Sequence, residues 1–282
     1  MTNSPKKPRP RGGTQIGRRD ALLAGLGAGL GAGLAVAAPH AALARGARVC
    51  DSRGIIPAGG AIAQTATLQQ AIDDAAASGK PLFLPAGTYK TGTLTLQPGT
   101  HVHGVPGLPI LKAGGEPMLT LSGADNVRLS GLVLDGGGIP LGDDGALMTA
   151  TEATELDVSE CRFLNSGGSG MSLRKSSGRI ANCTFGNIAS AALFSEDASG
   201  LEISNNHIHD CGDNGILVWR SETGEDGTLV SANRIERIAA KSGGSGQNGN
   251  GVNVFRAGSV LVTQNHIADC AFSAIRSNAG SN

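Results

Sequence analysis

Between residues 156 and 282 short runs of alternating apolar and polar residues recur along the chain. The run Ile203-Ser204-Asn205-Asn206-His207-Ile208 is matched by Ile180-Ala181-Asn182-Cys183-Thr184-Phe185 and by Val230-Ser231-Ala232-Asn233-Arg234-Ile235. Val262-Thr263-Gln264-Asn265-His266-Ile267 and Val158-Ser159-Glu160-Cys161-Arg162-Phe163 are further copies. Each is followed by a second run, as in Gly170-Met171-Ser172-Leu173, Ala192-Leu193-Phe194-Ser195, Gly215-Ile216-Leu217-Val218, Gly251-Val252-Asn253-Val254 and Ala274-Ile275-Arg276. Period-2 alternation predicts half-buried strands. Self-similarity at a period of a few tens of residues predicts a solenoid. Successive copies are spaced by 22, 23, 27 and 32 residues. A coil of 22 or 23 residues accommodates three short strands and three turns. The extra residues fall at 221–227 and 241–250, and such insertions map to surface loops beside the working face.

The alternation assigns sides. Ile203, Ile208, Ile216 and Val218 are predicted inward, and His207, His209, Leu217 and Trp219 outward. Asn206, Asn233 and Asn265 share one inward turn position. Stacking brings equivalent residues about 4.8 Å apart. Amide side chains at that spacing can bond along the stack as a structural ladder. Cys161 and Cys183 hold the same position in adjacent coils. They are either a disulfide or two stacked reduced thiols. Cys211 and Cys270 are equivalent but two coils apart, with Ile238 between them, and Cys50 lies outside the repeats. No Cys-x-x-Cys pair occurs, which argues against a zinc or iron–sulfur centre.

Upstream, Leu68, Ala71, Ile72, Ala75 and Ala76 form one apolar helical face, with Thr67 and Gln70 at capping-box spacing, Gly79 as the stop and Pro81 beyond it. A helix is predicted over about residues 67–78. Leu82-Phe83-Leu84 and Thr93-Leu94-Thr95-Leu96 read as strands, followed by Met118-Leu119-Thr120-Leu121 and the 127–134 stretch, with a loop at 136–145.

The segment Leu68-Gln69-Gln70-Ala71-Ile72-Asp73, continued by Gly79-Lys80-Pro81-Leu82-Phe83-Leu84-Pro85-Ala86-Gly87-Thr88-Tyr89, resembles the N-terminal cap of the pectate-lyase/polygalacturonase superfamily. With the repeats, the resemblance covers about residues 64–282. It implies an all-β, right-handed, single-stranded parallel β-helix with an N-terminal capping α-helix, and polysaccharide as substrate class. The superfamily's catalytic sets do not carry over. The Asn-Thr-Asp, Asp-Asp, Gly-His-Gly and Arg-Ile-Lys series is missing in order: Asp143-Asp144 precedes the repeats and Arg234-Ile235-Glu236 lacks the lysine. The acidic calcium cluster of pectate lyases is not evident either.

Composition supports many tight turns and a core without large rings: Gly occurs 44 times and aromatics make up 3% of the chain. Residues 1–44 are a separate object. Arg18-Arg19 and Leu22-Leu23, a Gly/Ala/Leu run from Ala21 to Ala38, and Ala42-Leu43-Ala44 together look like a cleavable twin-arginine export signal. With the repeats, it also resembles a family of exported β-helix repeat proteins of uncharacterised function. The domain 45–282 is therefore expected in the periplasm or outside the cell, where disulfides are permitted, with the membrane met only through the signal. Residues 1–44 hold six basic residues and one acid; without them 17 basic and 22 acidic residues remain, a net charge of −5. Such a domain is a poor nucleic-acid binder.

Candidate chemistry lies on the outward face of the strand after each ladder turn. One column reads Ser172, Phe194, Leu217, Asn253 and Arg276; two positions on it reads Arg174, Glu196, Trp219, Phe255 and Asn278; the next reads Lys175, Asp197, Arg220, Arg256 and Ala279. Aromatic faces stack on sugar rings and guanidinium groups bind carboxylates, so Arg174, Lys175, Trp219, Phe255, Arg256 and Arg276 suit an acidic, uronate-bearing polysaccharide. Glu196 and Asp197 are the candidate acid/base residues. Hydrolysis needs carboxyls roughly 5–9.5 Å apart, and neighbours on a strand diverge, so Asp213 is a candidate partner. Arg220 is the candidate base for elimination or epimerisation. The competing reading of this face is a solvated surface with cross-coil ion pairs. His207, His209 and Glu236 could bind a transition metal, but the alternating signs of Asp210, Arg237 and Asp269 suggest salt bridging. No metal or other cofactor is called for; calcium at Asp143-Asp144 has no further support.

Two functions follow. One is an enzyme on polysaccharide: a lyase, hydrolase or epimerase. The other is a non-catalytic structural or carbohydrate-binding envelope module. The last copy stops at Ala279-Gly280-Ser281-Asn282, before its next strand, so the solenoid is expected to continue beyond residue 282. Oligomeric state is not encoded in these patterns.

Overall fold

The structure is a computed structural model and describes residues 48–49, 64–112, 114–142, 145–244 and 246–279. The stretch 1–44 expected to be an export signal, Cys50 and Asp143-Asp144 lie outside the described residues.

From Leu82 onward the chain winds through eight successive coils, each adding one strand to each of three parallel sheets. The first sheet runs from Arg48–Val49 and Leu82–Phe83 to Leu261–Thr263; the second from Gly87–Lys90 to His266–Cys270; the third from Leu94–Thr95 to Ser273–Asn278. Repeats therefore begin well before residue 156. The second-sheet strands Gly87–Lys90 and Pro109–Lys112 were not foreseen, because the early coils lack the Asn or Cys that marks later ones.

The predicted registers are those observed. Ile180 pairs with Ile203 and Ile203 with Val230; Phe163, Phe185, Ile208 and Ile235 form one column in the second sheet. These side chains are fully buried, and the Phe163 and Phe185 rings stack with centroids 4.8 Å apart. Stacking like on like gives the solenoid a continuous apolar core. Burying each such side chain contributes about 1.5–3 kcal/mol.

The ladder sits at the corner between the first and second sheets. Asn206 Nδ2 donates to Asn233 Oδ1 at 3.0 Å, and Asn233 Nδ2 to Asn265 Oδ1 at 2.9 Å. Each ladder residue is preceded by one in the left-handed region: Glu160, Asn182, Asn205, Ala232 and Gln264, with φ of 54–56°. That twist aims the next side chain inward. It leaves a main-chain N–H facing the core, which the amide of the next coil accepts, as in Asn206 N–H to Asn233 Oδ1 at 2.9 Å. Cys161 and Cys183 continue the column as free, buried thiols rather than as a disulfide. Cys183 Sγ instead donates to Ala181 O at 3.3 Å. Cys211 and Cys270 are separated by Ile238, as the repeat required.

The helix spans Thr65–Ser78 and ends on Gly79 at φ 61°. It starts two residues earlier than the sequence indicates, and the capping box at Thr67 is not formed: the N-cap is Gln64, without a side-chain cap bond. Thr65 instead accepts the Gly92 N–H at 2.8 Å. Leu68 and Ile72 pack with Leu82, Leu94 and Val102 across the open end of the first coil. Gln69 acts as a surrogate strand, accepting Thr95 N–H and donating to Thr95 O, both at 2.8 Å. Both apolar core and backbone edge are thereby covered, which an exposed edge strand requires. At the far end Leu261, Phe272 and Ile275 are exposed. Among the described residues no helix is long and apolar enough to cross a membrane.

Candidate functional site

The third sheet carries the longest strands, Asn214–Glu225 and Asn250–Gly258, because both insertions adjoin them. Its outward columns are those read from the sequence: Phe194 pairs with Leu217 and Leu217 with Asn253, while Glu196 pairs with Trp219 and Trp219 with Phe255. The register joins three aromatic rings into a row. Phe194 meets Trp219 edge-on at a centroid distance of 5.5 Å, and Trp219 meets Phe255 at 5.5 Å and 57°. The Arg256 guanidinium lies 4.9 Å from the Phe255 centroid. The Trp219 indole N–H is buried without an acceptor, although a buried indole N–H usually finds one.

Beside this row lies a groove of about 370 Å³, lined by Phe194, Leu217, Trp219, Asp213, Ser242 and the glycines 142, 145, 167 and 168. Leu217 faces outward, as expected, but is only 9% exposed; it shares the groove with Ser242 of the 239–244 loop segment. Asp213 anchors this loop: its carboxylate accepts both the Ser242 N–H and hydroxyl at 2.8 Å. Gly212, just before Asp213, lets the preceding coil pack close, since a Cβ there would come within 1.8 Å of Ala189 O.

The acid/base candidates separate. Glu196 stays on the outward face and pairs with Arg174 at 3.2 Å. Asp197 adopts φ 55° and turns away at the strand end, where it accepts the Ser221 N–H at 2.9 Å and hydroxyl at 2.8 Å. Partial burial pushes the Asp197 carboxyl up, but these bonds and the charges of Arg220 and Lys175 outweigh it and hold it below the usual aspartate range. Asp213 does not partner Asp197. It precedes its third-sheet strand and Asp197 follows one, so they lie a strand length apart, about 20 Å, and both Asp213 oxygens are occupied.

The cations are partly committed. Lys175 pairs with Glu152 at 3.6 Å, and Arg256 donates to Ser221 O at 2.6 Å. Arg220 donates to Ala198 O at 3.3 Å, while its Nε is buried without a partner. Arg276 pairs in register with Asn253 in the last coil. Asp226 was missed by the sequence reading. It lies in the 221–227 insertion, which has no counterpart in other coils to align with, and is 4% exposed.

The histidine face of the second sheet is a salt-bridge network. Glu236 accepts from His207 at 3.1 Å, Arg237 at 2.9 Å and Arg234 at 2.6 Å. Asp210 meets His209 at 2.6 Å and Arg237 at 2.7 Å. His207, Arg234 and Arg237 hold the Glu236 carboxyl at about 2. Arg237 and His209 hold Asp210 at about 2. Among the described residues no group of three or more His, Cys, Asp or Glu side chains is placed to hold a metal ion.

Comparison with known proteins places this geometry in context. A family profile for the right handed beta helix region matches residues 116–235 and 144–282, together more than half of the chain. A comparison with curated protein sequences gives no match. Among solved structures, the chain is similar to the family 28 exopolygalacturonase of Yersinia enterocolitica, with a TM-score of 0.57, 16% identity and coverage of 76% of this chain and 52% of that one. The A-module of mannuronan C-5 epimerase AlgE6 from Azotobacter vinelandii gives 0.51, 20%, 78% and 74% in the same order. A Parabacteroides merdae protein proposed to be a glycosyl hydrolase gives 0.52, 12%, 76% and 94%. At these identities the likeness is one of fold. The chain belongs to the right-handed parallel β-helix family.

Proposed function

We propose that this chain is an exported protein that binds or processes a polysaccharide, laid across the outward face of the third sheet, and that the polymer is acidic. The observation that carries the reading is the ring row Phe194–Trp219–Phe255 with Arg256 against its end, beside an open groove. Rings in a row, edged by guanidinium groups, suit a chain of sugar rings bearing carboxylates. Successive sugars could meet successive coils, since the stack advances about 4.8 Å per coil. The fold relatives lend support, since a polygalacturonase, a mannuronan epimerase and a proposed glycosyl hydrolase are among them.

Affinity electrophoresis of the full chain in gels containing polygalacturonate, alginate or a neutral glucan tests the reading. Retardation by a uronate polymer is expected, and more weakly by the glucan. Equal migration in all gels would refute it. The non-catalytic module is favoured by no specific contact of this face; retardation without release of new chain ends would select it.

A further inference from the structure

The groove beside the ring row continues round a corner. A second opening, of about 420 Å³, lies where the second sheet passes into the third, and it shares Gly167 and Ala189 with the first. The two form one notch. Its course follows from the coils. Between the strands Ala146–Thr151 and Asn250–Gly258 the third sheet has three others, Ser169–Arg174, Ala191–Glu196 and Asn214–Glu225. Those three are entered through tight turns, whereas the two flanking strands are entered through the longer connections 136–145 and 239–249. These connections stand four coils apart, about 19 Å at about 4.8 Å per coil, and form the walls. The notch therefore runs along the strands. The ring row Phe194–Trp219–Phe255 runs from coil to coil, at right angles to it. A track joined by a side channel has the shape of a branch point.

The two arms of the notch differ in chemistry. On the third sheet it offers Phe194, Leu217 and Trp219, and no cation among the described lining residues. Round the corner it meets two, Arg237 and Lys241. Arg237 is committed to Asp210 at 2.7 Å and to Glu236 at 2.9 Å. Asp210, the carboxylate on that side, is also met by His209 at 2.6 Å. Lys241 is exposed and has no ion pair among the described residues. Its backbone is fixed: the Lys241 N–H donates to Gly212 O at 2.8 Å, and Asp213 holds Ser242 next to it. Its stem passes over Gly212, where an added Cβ would lie 3.4 Å from Lys241 Cδ. The side channel thus starts at aromatic rings and ends at an unpaired ammonium, which attracts a carboxylate.

We propose that the notch is a branch subsite: a polymer lying along the ring row sends a side branch over the corner between the two connections, and Lys241 binds a uronate carboxylate on that branch. The inference rests on the polysaccharide reading above and deepens it to a branched acidic polymer. Asn187, exposed on the same side, adds an amide for sugar hydroxyls. The floor at Ala189 is exposed and its backbone lies outside the left-handed region, so a larger side chain there fills the notch without straining the turn.

The test is affinity electrophoresis of the full chain in gels containing xanthan or gum arabic, whose branches carry glucuronate, the same polymers with their carboxyls reduced, or unbranched polygalacturonate. Wild type is compared with Lys241→Gln, which keeps the stem over Gly212, and with Ala189→Phe, which blocks the notch; a gel without polymer corrects for the change in charge. Retardation of the wild type by a native branched polymer is expected to be about threefold to fivefold stronger than by its reduced form, as one exposed ion pair supplies. Both variants should lose that preference and keep the wild-type response to polygalacturonate. A preference retained in either variant, or a response to polygalacturonate that falls as far as the response to the branched polymers, would overturn the proposal. Wild type retarded by polygalacturonate but by neither branched polymer would overturn the branch subsite and leave the polysaccharide reading standing. Wild type retarded by no polymer would overturn both.

Discussion

Replacing Asn233 by alanine should destabilise the coil stack by about 2–6 kcal/mol. Asn233 is 1% exposed. Its Oδ1 accepts the Asn206 N–H at 2.9 Å and Asn206 Nδ2 at 3.0 Å, and its Nδ2 donates to Ile203 O and Asn265 Oδ1, each at 2.9 Å. Two of these partners have other bonds. Asn206 Nδ2 also donates to Ile180 O at 3.0 Å, and Asn265 Oδ1 also accepts the Asn233 N–H at 2.9 Å. Asn206 N–H and Ile203 O lose their side-chain partner. A buried polar group left unsatisfied costs about 1–3 kcal/mol, which gives the stated range for two. Against a typical stability of about 5–15 kcal/mol, that is a large fraction. Asn265, in the last coil, is only partly buried, so water can replace its amide, and Asn265→Ala should cost about 1 kcal/mol. Urea unfolding followed by far-ultraviolet circular dichroism measures both. An Asn233→Ala cost under about 1 kcal/mol, or one no larger than that of Asn265→Ala, would refute a ladder that satisfies buried backbone.

Other outcomes follow from the same geometry. In native protein, Cys161, Cys183 and Cys211 should resist a thiol reagent and label only in urea, as read by peptide mass spectrometry; burial pushes Cys211 to about 12, and the neighbouring Cys183 together with burial raises Cys161. A bonded Cys161–Cys183 pair, silent even in urea, would contradict the free thiols. The carboxyls of Asp210 and Glu236 sit at about 2, below their unfolded values of about 4. Their contribution is therefore complete above about pH 5 and lost as pH falls towards 2. The stability gap between wild type and Arg237→Gln should close over that window; a gap independent of pH would contradict the network.

Much of this architecture was legible because a solenoid repeats its own spacing. Aligning Asn206, Asn233 and Asn265 fixed the ladder, the cysteine column and the outward columns through Phe194 and Trp219, since one matched residue per coil sets the register of a whole strand. What could not be read lies where repetition fails. The column of Lys175, Asp197 and Arg256 continues the alternation, yet these residues adopt φ of 48–58° and break the extended backbone, Lys175 and Asp197 just past their strands and Arg256 within Asn250–Gly258, which is why Glu196 and Asp197 part company. Asp213 looked like a neighbour of the acids; in the fold it serves Ser242 at the other end of the strand. Asp226 belongs to an insertion present once, so no column pointed to it, and only burial with an unpaired oxygen singles it out. Thr67 matched a capping box, but Thr65 was drawn to the Gly92 N–H, and tertiary contact overrode the local signal.

The most direct test of the central claim is calorimetric titration of uronate oligomers into wild type and Trp219→Ala, with circular dichroism confirming that the variant keeps its fold. Trp219 is the middle ring of the row, and truncating a central aromatic anchor costs about 2 kcal/mol or more. A wild type that binds and a variant weakened about 30-fold or more is the predicted result. Equal affinities for the two proteins, or no binding by the wild type, would contradict a polysaccharide lying on the third sheet.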